Sequence, residues 1–339
     1  MSIDINDKNI RPILTASDAL FELDKIRLGN IEKGFEIGVD KWDEHILFKR
    51  GQFNMTNGHD NVGKTDVLLW YFVVLAKRHN LKFNIYSSEN SHRSQVFKLF
   101  NFWTGKRMDK DFKKDKKGFE QTINEITDCF NFIRADKRYN CAQILDIADK
   151  HKADGLLIDP FNSLVTETGN KHQEDYDTCS NIRIFCDTTN TTTFVNAHLV
   201  TQAARNVYPK DHEYAENLKP GEKADTEGGQ KFANKADDFY SIHRMTQHPD
   251  LWSTSEVHVR KIKETITGGS TTQRDSPILM KWENHCKYRI NGKNPLDGTY
   301  RDIGDKDLSN LAELSPTHKS MQKMSYGGHD DILNDEIPF

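Results

Sequence analysis

The residues Gly58-His59-Asp60-Asn61-Val62-Gly63-Lys64-Thr65 fit the spacing G-x-x-x-x-G-K-[ST], between an apolar run and a long helical pattern. That spacing serves phosphate chemistry: its glycines let backbone N–H groups wrap the phosphates of a nucleotide. Lys64 would reach the β- and γ-phosphates and the Thr65 hydroxyl would ligate Mg²⁺. The N-terminus of the following helix, with Asp66 in its first turn, adds partial positive charge. Gly58 through Asp66 is therefore the candidate nucleotide-binding segment. Such a loop needs a carboxylate on a neighbouring strand. Gly155-Leu-Leu-Ile-Asp159 supplies one, and Asp159 would hold Mg²⁺ directly or through water. Hydrolysis also needs a group that polarises water. Glu89, in Ser87-Ser88-Glu89-Asn90 at a strand's carboxyl end, can serve as that general base; a strand-end glutamate taken alone is more often a solvated cap, but its place in the motif order favours the catalytic reading.

Strands alternating with helices must position these groups. Gln52–Asn57 reads as a strand, Lys64–Asn80 as a helix, Lys82–Ser88 as a strand and Ser91–Trp103 as a helix. Cys129–Ala135, Gly155–Asp159 and Thr193–His198 read as further strands, separated by helical patterns at Ala142–Lys152 and Glu174–Thr189. This order predicts an α/β fold, a mostly parallel sheet with helices on both faces. Asp238–Arg244, Glu256–Lys263, Ile278–Glu283 and Lys287–Ile290 read as strands joined by Gly- and Thr-rich turns, an antiparallel β extension. Arg205–Gly228 has no apolar period and reads as a long mobile loop. Thr166–Asp177 reads as a shorter loop, and the basic run Lys106–Lys117 as a solvated one, with a DNA-facing or partner-binding patch as the alternative. Thr15–Leu28 carries apolar residues at helical spacing, an arm that packs on its own domain or docks on a neighbouring copy. The expected organisation is an arm over 1–35, one ATPase domain over 36–300 and a disordered acidic tail over 301–339.

Composition narrows the classes without choosing among them. The 339 residues carry 47 Lys and Arg against 51 Asp and Glu, a net charge of −4, which argues against coating nucleic acid with the whole surface but leaves room for a local basic channel. Hydrophobic residues make up 36% and the mean hydropathy is −0.75. No apolar run is long enough for a membrane span, and no secretory signal is visible. Five cysteines without a C-x-x-C pair argue against a disulfide framework or a zinc site, so a cytoplasmic protein is expected.

The order of the motifs resembles the RecA-type ATPase domain of hexameric replicative helicases, of the bacterial DnaB type and, more closely, the Twinkle and phage primase-helicase type. Gly38-Val-Asp40-Lys-Trp42-Asp43 resembles the lead-in to the phosphate loop. Ser88-Glu89-Asn90 with Trp103-Thr-Gly105-Lys106 resembles the family's S/P-E-N segment and downstream T-G-K. Ile158-Asp159-Pro160-Phe161-Asn162 resembles its second carboxylate motif, and Val195-Asn-Ala197-His198 its V-A-H sensor. Gly228-Gly229-Gln230-Lys231-Phe-Ala-Asn234-Lys235-Ala236-Asp237 resembles its G-S-x-x-x-N-K-A-D segment, with Gln230 where the family has Ser.

The resemblance implies a hexameric, ring-forming, ATP- or dTTP-driven translocase that moves on single-stranded DNA and unwinds duplex in replication, with Mg²⁺. It implies Glu89 as catalytic glutamate, His198 as γ-phosphate sensor and Lys263 at the position that reaches into the neighbour's site. Arg260 and Lys261 on the same strand are further trans-acting candidates, since Lys lacks the bidentate fork of Arg. DNA-binding candidates are Lys171, Arg205, Lys210, Lys219, Lys223, Lys231 and Lys235. No stretch resembles a primase domain. The last residues, Asp335-Glu336-Ile337-Pro338-Phe339, resemble the acidic tip of bacterial single-stranded DNA-binding proteins, which implies a bait for replication partners such as a polymerase or primase. Two other classes stay open: a RecA/RadA-like recombination ATPase, and a nucleotide-gated DNA-binding scaffold.

Overall fold

The computed structural model describes residues 16–165 and 171–300. After α1 (Ala16–Arg27) and the single turn α2 (Asp40–Asp43), the chain runs through β1 (Phe53–Gly58), α3 (Lys64–His79), β2 (Phe83–Ser87) and α4 (His92–Thr104). A short α5 (Met108–Asp111), α6 (Lys116–Cys129), β3 (Phe130–Ile133), α7 (Cys141–Lys150) and β4 (Gly155–Asp159) follow. The second half contributes α8 (Lys171–Thr189), β5 (Thr192–His198), α9 (Gln230–Lys235), β6 (Asp238–His243), β7 (Thr254–Lys261), α10 (Thr265–Gly268), β8 (Ile278–Glu283) and β9 (Lys287–Ile290).

One nine-stranded sheet runs β3-β2-β4-β5-β1-β6-β7-β8-β9. The pairings from β3 to β6 are parallel, and those from β6 to β9 are antiparallel. This is the expected α/β architecture with its antiparallel extension. Side chains of the central strands alternate between two buried layers, as the two-residue period demands. Met55, Ile158 and Val195 join Ile144, Cys179, Ile182 and Phe232 in the layer under α7, α8 and α9. Phe83 and Phe194 face the other way onto Phe72 of α3, Phe83 stacked at a centroid distance of 4.4 Å and Phe194 edge-on at 5.1 Å. Helix α3 is buried without a break from Val67 to Ala76 and so reads apolar all round. All five cysteines are buried and free. Burial pushes the Cys141 thiol up to about 12 and the Cys186 thiol up to about 11, which makes them packing groups rather than nucleophiles.

Several segments depart from expectation. The basic run Lys106–Lys117 is not simply a solvated loop: it forms α5 and the first turn of α6, and it buries Phe112 edge-on to Phe100 at 4.7 Å. Helix α8 starts at Lys171, so most of the stretch read as a loop over Thr166–Asp177 is helical, residues 166–170 lying outside the described ones. Arg205–Gly228 is ordered rather than featureless. Val207 bridges Leu218 and Leu199 bridges Thr226, making a narrow irregular hairpin closed by a 3₁₀ turn at Lys223–Asp225. Among the described side chains of helix α1, Leu20 (62%), Leu23 (57%) and Ile26 (54%) are exposed. The tail over 301–339, with its tip Asp335–Phe339, lies outside the described residues.

Candidate functional site

The expected chemical groups meet at the carboxyl ends of β1, β4, β5 and β2. Strand β1 stops at Gly58 because a Cβ there would stand 2.3 Å from the Ile242 carbonyl oxygen; only glycine lets β6 come this close. The loop turns through Asn61 (φ 60°) and Gly63 (φ 92°) before α3 begins. Lys64 is buried at the start of α3, and its ammonium donates to the carbonyls of Gly58 (3.0 Å) and His59 (2.9 Å). Burial lowers its pKa, against the attraction of Asp159, Asp60 and Glu89, which favours the ammonium.

Asp159 gathers four donors and is only 2% exposed. The Thr65 hydroxyl (2.8 Å), the Ser87 hydroxyl (3.3 Å) and the Asn90 amide (3.4 Å) donate to Oδ2, and the Asn196 amide (2.8 Å) donates to Oδ1. Thr65 and Asp159 form a hard oxygen pair of the kind Mg²⁺ prefers, so these residues fit the metal expected of such a site. Beside them the His198 ring stands between two carboxylates. Its Nε2 is 3.0 Å from Glu89 Oε1 and its Nδ1 is 3.1 Å from Asp60 Oδ1. A neutral imidazole can donate to only one of the two, whereas an imidazolium donates to both. Asp66 pairs with Lys98 of α4 at 2.7 Å, which ties the first turn of α3 to the helix after Glu89.

The hairpin after β5 hangs from the same loop. The Asn57 amide donates to the Glu222 carbonyl and the Thr226 hydroxyl, both at 2.9 Å, and His59 Nε2 lies 3.0 Å from the Lys219 carbonyl oxygen. These tethers, and the second arm of the Asp159 network at Asn196, escape a reading of the sequence because strand pairing alone brings the partners together. Arg244 escapes it too. Its Nη2 donates to the Asn61 carbonyl at 2.7 Å, and its guanidinium lies 5.5 Å from the Trp282 ring centroid. Its Nε and Nη1 are buried without a hydrogen-bond partner among the described residues.

The remaining candidates are dispersed. Arg205 and Lys210 are exposed on the hairpin, Lys219 sits 5.7 Å over the Tyr208 ring, and Lys223 is half-buried. Lys231 is buried in an ion pair with Asp175 at 2.8 Å, so its ammonium is not offered at the surface, whereas Lys235 is half-buried with its ammonium 4.2 Å over the exposed Tyr176 ring. Lys171 heads α8. On and after β7, Lys261 is committed to the carbonyls of Ala233 and Ala236 at the end of α9, and Arg260 to Gly221 and Glu222 of the hairpin. Lys263 is 52% exposed and pairs with the buried Asp237 at 2.9 Å. Asp237 also bonds the Phe53 amide, so Lys263 stands at the amino end of β1, whereas the phosphate loop leaves its carboxyl end. The length of β1 separates them by about 17 Å, so Lys263 cannot serve the site of its own chain.

No protein-family model and no curated protein matches the sequence. Solved structures do. An ATPase domain is similar over 81% of this chain and 98% of its own, with a TM-score of 0.64 and 14% identity. A DnaB-like replicative helicase, solved to describe its interactions with primase, is similar over 81% of this chain and 67% of its own, with a TM-score of 0.63 and 14% identity. No helix among the described residues is long and apolar enough to cross a membrane. The chain has the RecA-like α/β fold found in the ATPase domains of DnaB-like replicative helicases.

Proposed function

We propose that the protein is an ATP-dependent, ring-forming translocase that moves on single-stranded DNA and unwinds duplex in replication, in the cytoplasm of the cell that makes it. The observation that carries this reading is the convergence of Lys64, Thr65, Asp159, Glu89 and His198 at one end of the sheet, with a hairpin hung from the same phosphate loop through His59. Gly58 to Asp66 would wrap the phosphates, and Lys64 would leave its two carbonyls for the β- and γ-phosphates. Mg²⁺, held by Thr65 and Asp159, would supply charge neutralisation at the phosphate oxygens. Glu89 would take the proton of the attacking water, and His198, sharing a hydrogen bond with Glu89, would register the γ-phosphate. The exposed stripe of α1 and the placement of Lys263 favour an assembly in which one chain completes the site of the next. The tip Asp335–Phe339 would recruit a polymerase or primase.

The test is nucleotide turnover with and without single-stranded DNA, together with unwinding of a forked duplex. Wild type should hydrolyse faster on DNA and unwind the fork. Lys64→Ala should abolish both activities, and Glu89→Gln should slow hydrolysis by about 10²- to 10⁴-fold while leaving nucleotide binding intact. Fork unwinding that survives Lys64→Ala would refute the proposal. Turnover indifferent to DNA would favour the nucleotide-gated scaffold, and open filaments by electron microscopy would favour the recombination ATPase.

A further inference from the structure

The hairpin after β5 poses an electrostatic problem for any grip on DNA. Between Arg205 and Gly228 it carries four cations, Arg205, Lys210, Lys219 and Lys223, against six carboxylates, Asp211, Glu213, Glu216, Glu222, Asp225 and Glu227. Phosphate attraction alone is weak on such a surface, because each retained contact needs an unopposed positive charge. Lys219 is moreover drawn over an aromatic ring, Lys231 beyond the hairpin is buried in an ion pair, and the half-buried Lys235 lies over the Tyr176 ring.

What the hairpin does present is aromatic. Tyr208 and His212 stack at 4.3 Å with their planes 22° apart. Lys219 lies over Tyr208 at 5.7 Å. Tyr214 is 5.6 Å from Tyr208 and 5.4 Å from His212. Being nearly equidistant from both rings, Tyr214 stands alongside the stack and not across its end. The backbone fixes the arrangement. Tyr208 N–H donates to the Asn217 carbonyl (2.9 Å), Lys219 N–H to the Asn206 carbonyl (2.8 Å) and His212 N–H to the Pro209 carbonyl (3.0 Å). The Tyr214 amide donates to His212 Nδ1 at 3.1 Å, which sets the tilt of the imidazole. His212 is exposed, at the tip of the hairpin next to Lys210.

We infer that the outer face of His212 is a stacking site for one base of single-stranded DNA, built on Tyr208 and flanked by Tyr214. This rests on the translocase reading and specifies how that reading's DNA loop would hold its strand. Base stacking suits the place because every base has a π-face, so the site grips without reading sequence and can let go at each step of movement. The neighbouring carboxylates, which oppose phosphate binding, cost little to a neutral ring. The same stack hangs from the phosphate loop through the His59 contact with the Lys219 carbonyl, so a held base would connect to that loop through His212, Tyr208, Lys219 and His59.

The test compares equilibrium binding of an oligo(dT) strand and of an abasic strand of equal length, by fluorescence anisotropy of the labelled strands with the full chain and a non-hydrolysable nucleotide. Wild type should prefer oligo(dT) by about tenfold. His212→Ala should remove that preference by weakening oligo(dT) alone, with abasic binding and the salt dependence of both unchanged. His212→Phe, which keeps an aromatic face, should restore it, and that rescue separates stacking from a merely structural role. Equal affinity of wild type for the two strands, or a His212→Ala variant that still prefers oligo(dT), would overturn the inference while leaving the translocase reading standing. Failure to bind either strand would overturn both.

Discussion

His243 is held where burial resists its protonation. It is buried at the end of β6, and burial drives its pKa down to about 4, well below that of an unfolded histidine. Between pH 6.5 and 4 the unfolded chain therefore binds a proton that the folded chain refuses, and this group's contribution to stability falls as the pH falls. Replacing it with a residue that does not titrate, as in His243→Leu, removes that slope. The stability difference between variant and wild type, read from urea midpoints, should shift in the variant's favour by up to about 3 kcal/mol across that window. A difference independent of pH would mean that the ring is protonated in the folded state. The residues of the site itself were legible to unequal degrees. Lys64, Thr65, Asp159 and Glu89 could be picked out because the chemistry demands their spacing and strand-end placement. Asn90 and Asn196 could not be assigned as partners of Asp159, because amides are common and only the register of β2, β4 and β5 brings these two onto it. Arg244 was likewise invisible until β6 paired with β1.

At the scale of elements, the hairpin after β5 is the segment that sequence patterning misjudged. Its apolar residues neither alternate nor repeat, since its order comes from isolated bridges, ring contacts and two tethers to the phosphate loop. The strands β4, β5, β8 and β9 were readable to within a residue, because short apolar runs between turn residues leave few alternatives. Helix α6 was missed because its start lies in a lysine-rich run, whose charge hides the burial of Phe112 just ahead of it. The tether gives the hairpin a testable property. His59 uses its carbonyl to hold Lys64 and its ring to hold Lys219 of the hairpin. His59→Ala should raise amide exchange of the Asn206–Lys219 hairpin by roughly tenfold, the equivalent of one lost hydrogen bond. Amides of β5 should be unaffected, and unchanged exchange in the hairpin would show that Asn57 and the bridges suffice to hold it.

For the whole molecule, the decisive feature is the distance between Lys263 and the phosphate loop, which lie at opposite ends of the parallel strands. Two copies facing one another across a two-fold axis would match like surfaces, whereas the proposed head-to-tail contact would set one copy's Lys263 end against the next copy's phosphate loop. Copies joined in this way divide each reaction centre between two polypeptides, and genetics can take such a centre apart. A Lys64→Ala chain keeps a sound Lys263, and a Lys263→Ala chain keeps a sound phosphate loop. Each should be nearly inert alone. Mixed in equal amounts and allowed to exchange, they should recover hydrolysis at about a quarter of the junctions, those where the two undamaged halves meet. A mixture as inert as its parents would place the missing cation elsewhere. Recovery would mean that two broken proteins make a working one, because neither was ever a complete enzyme by itself.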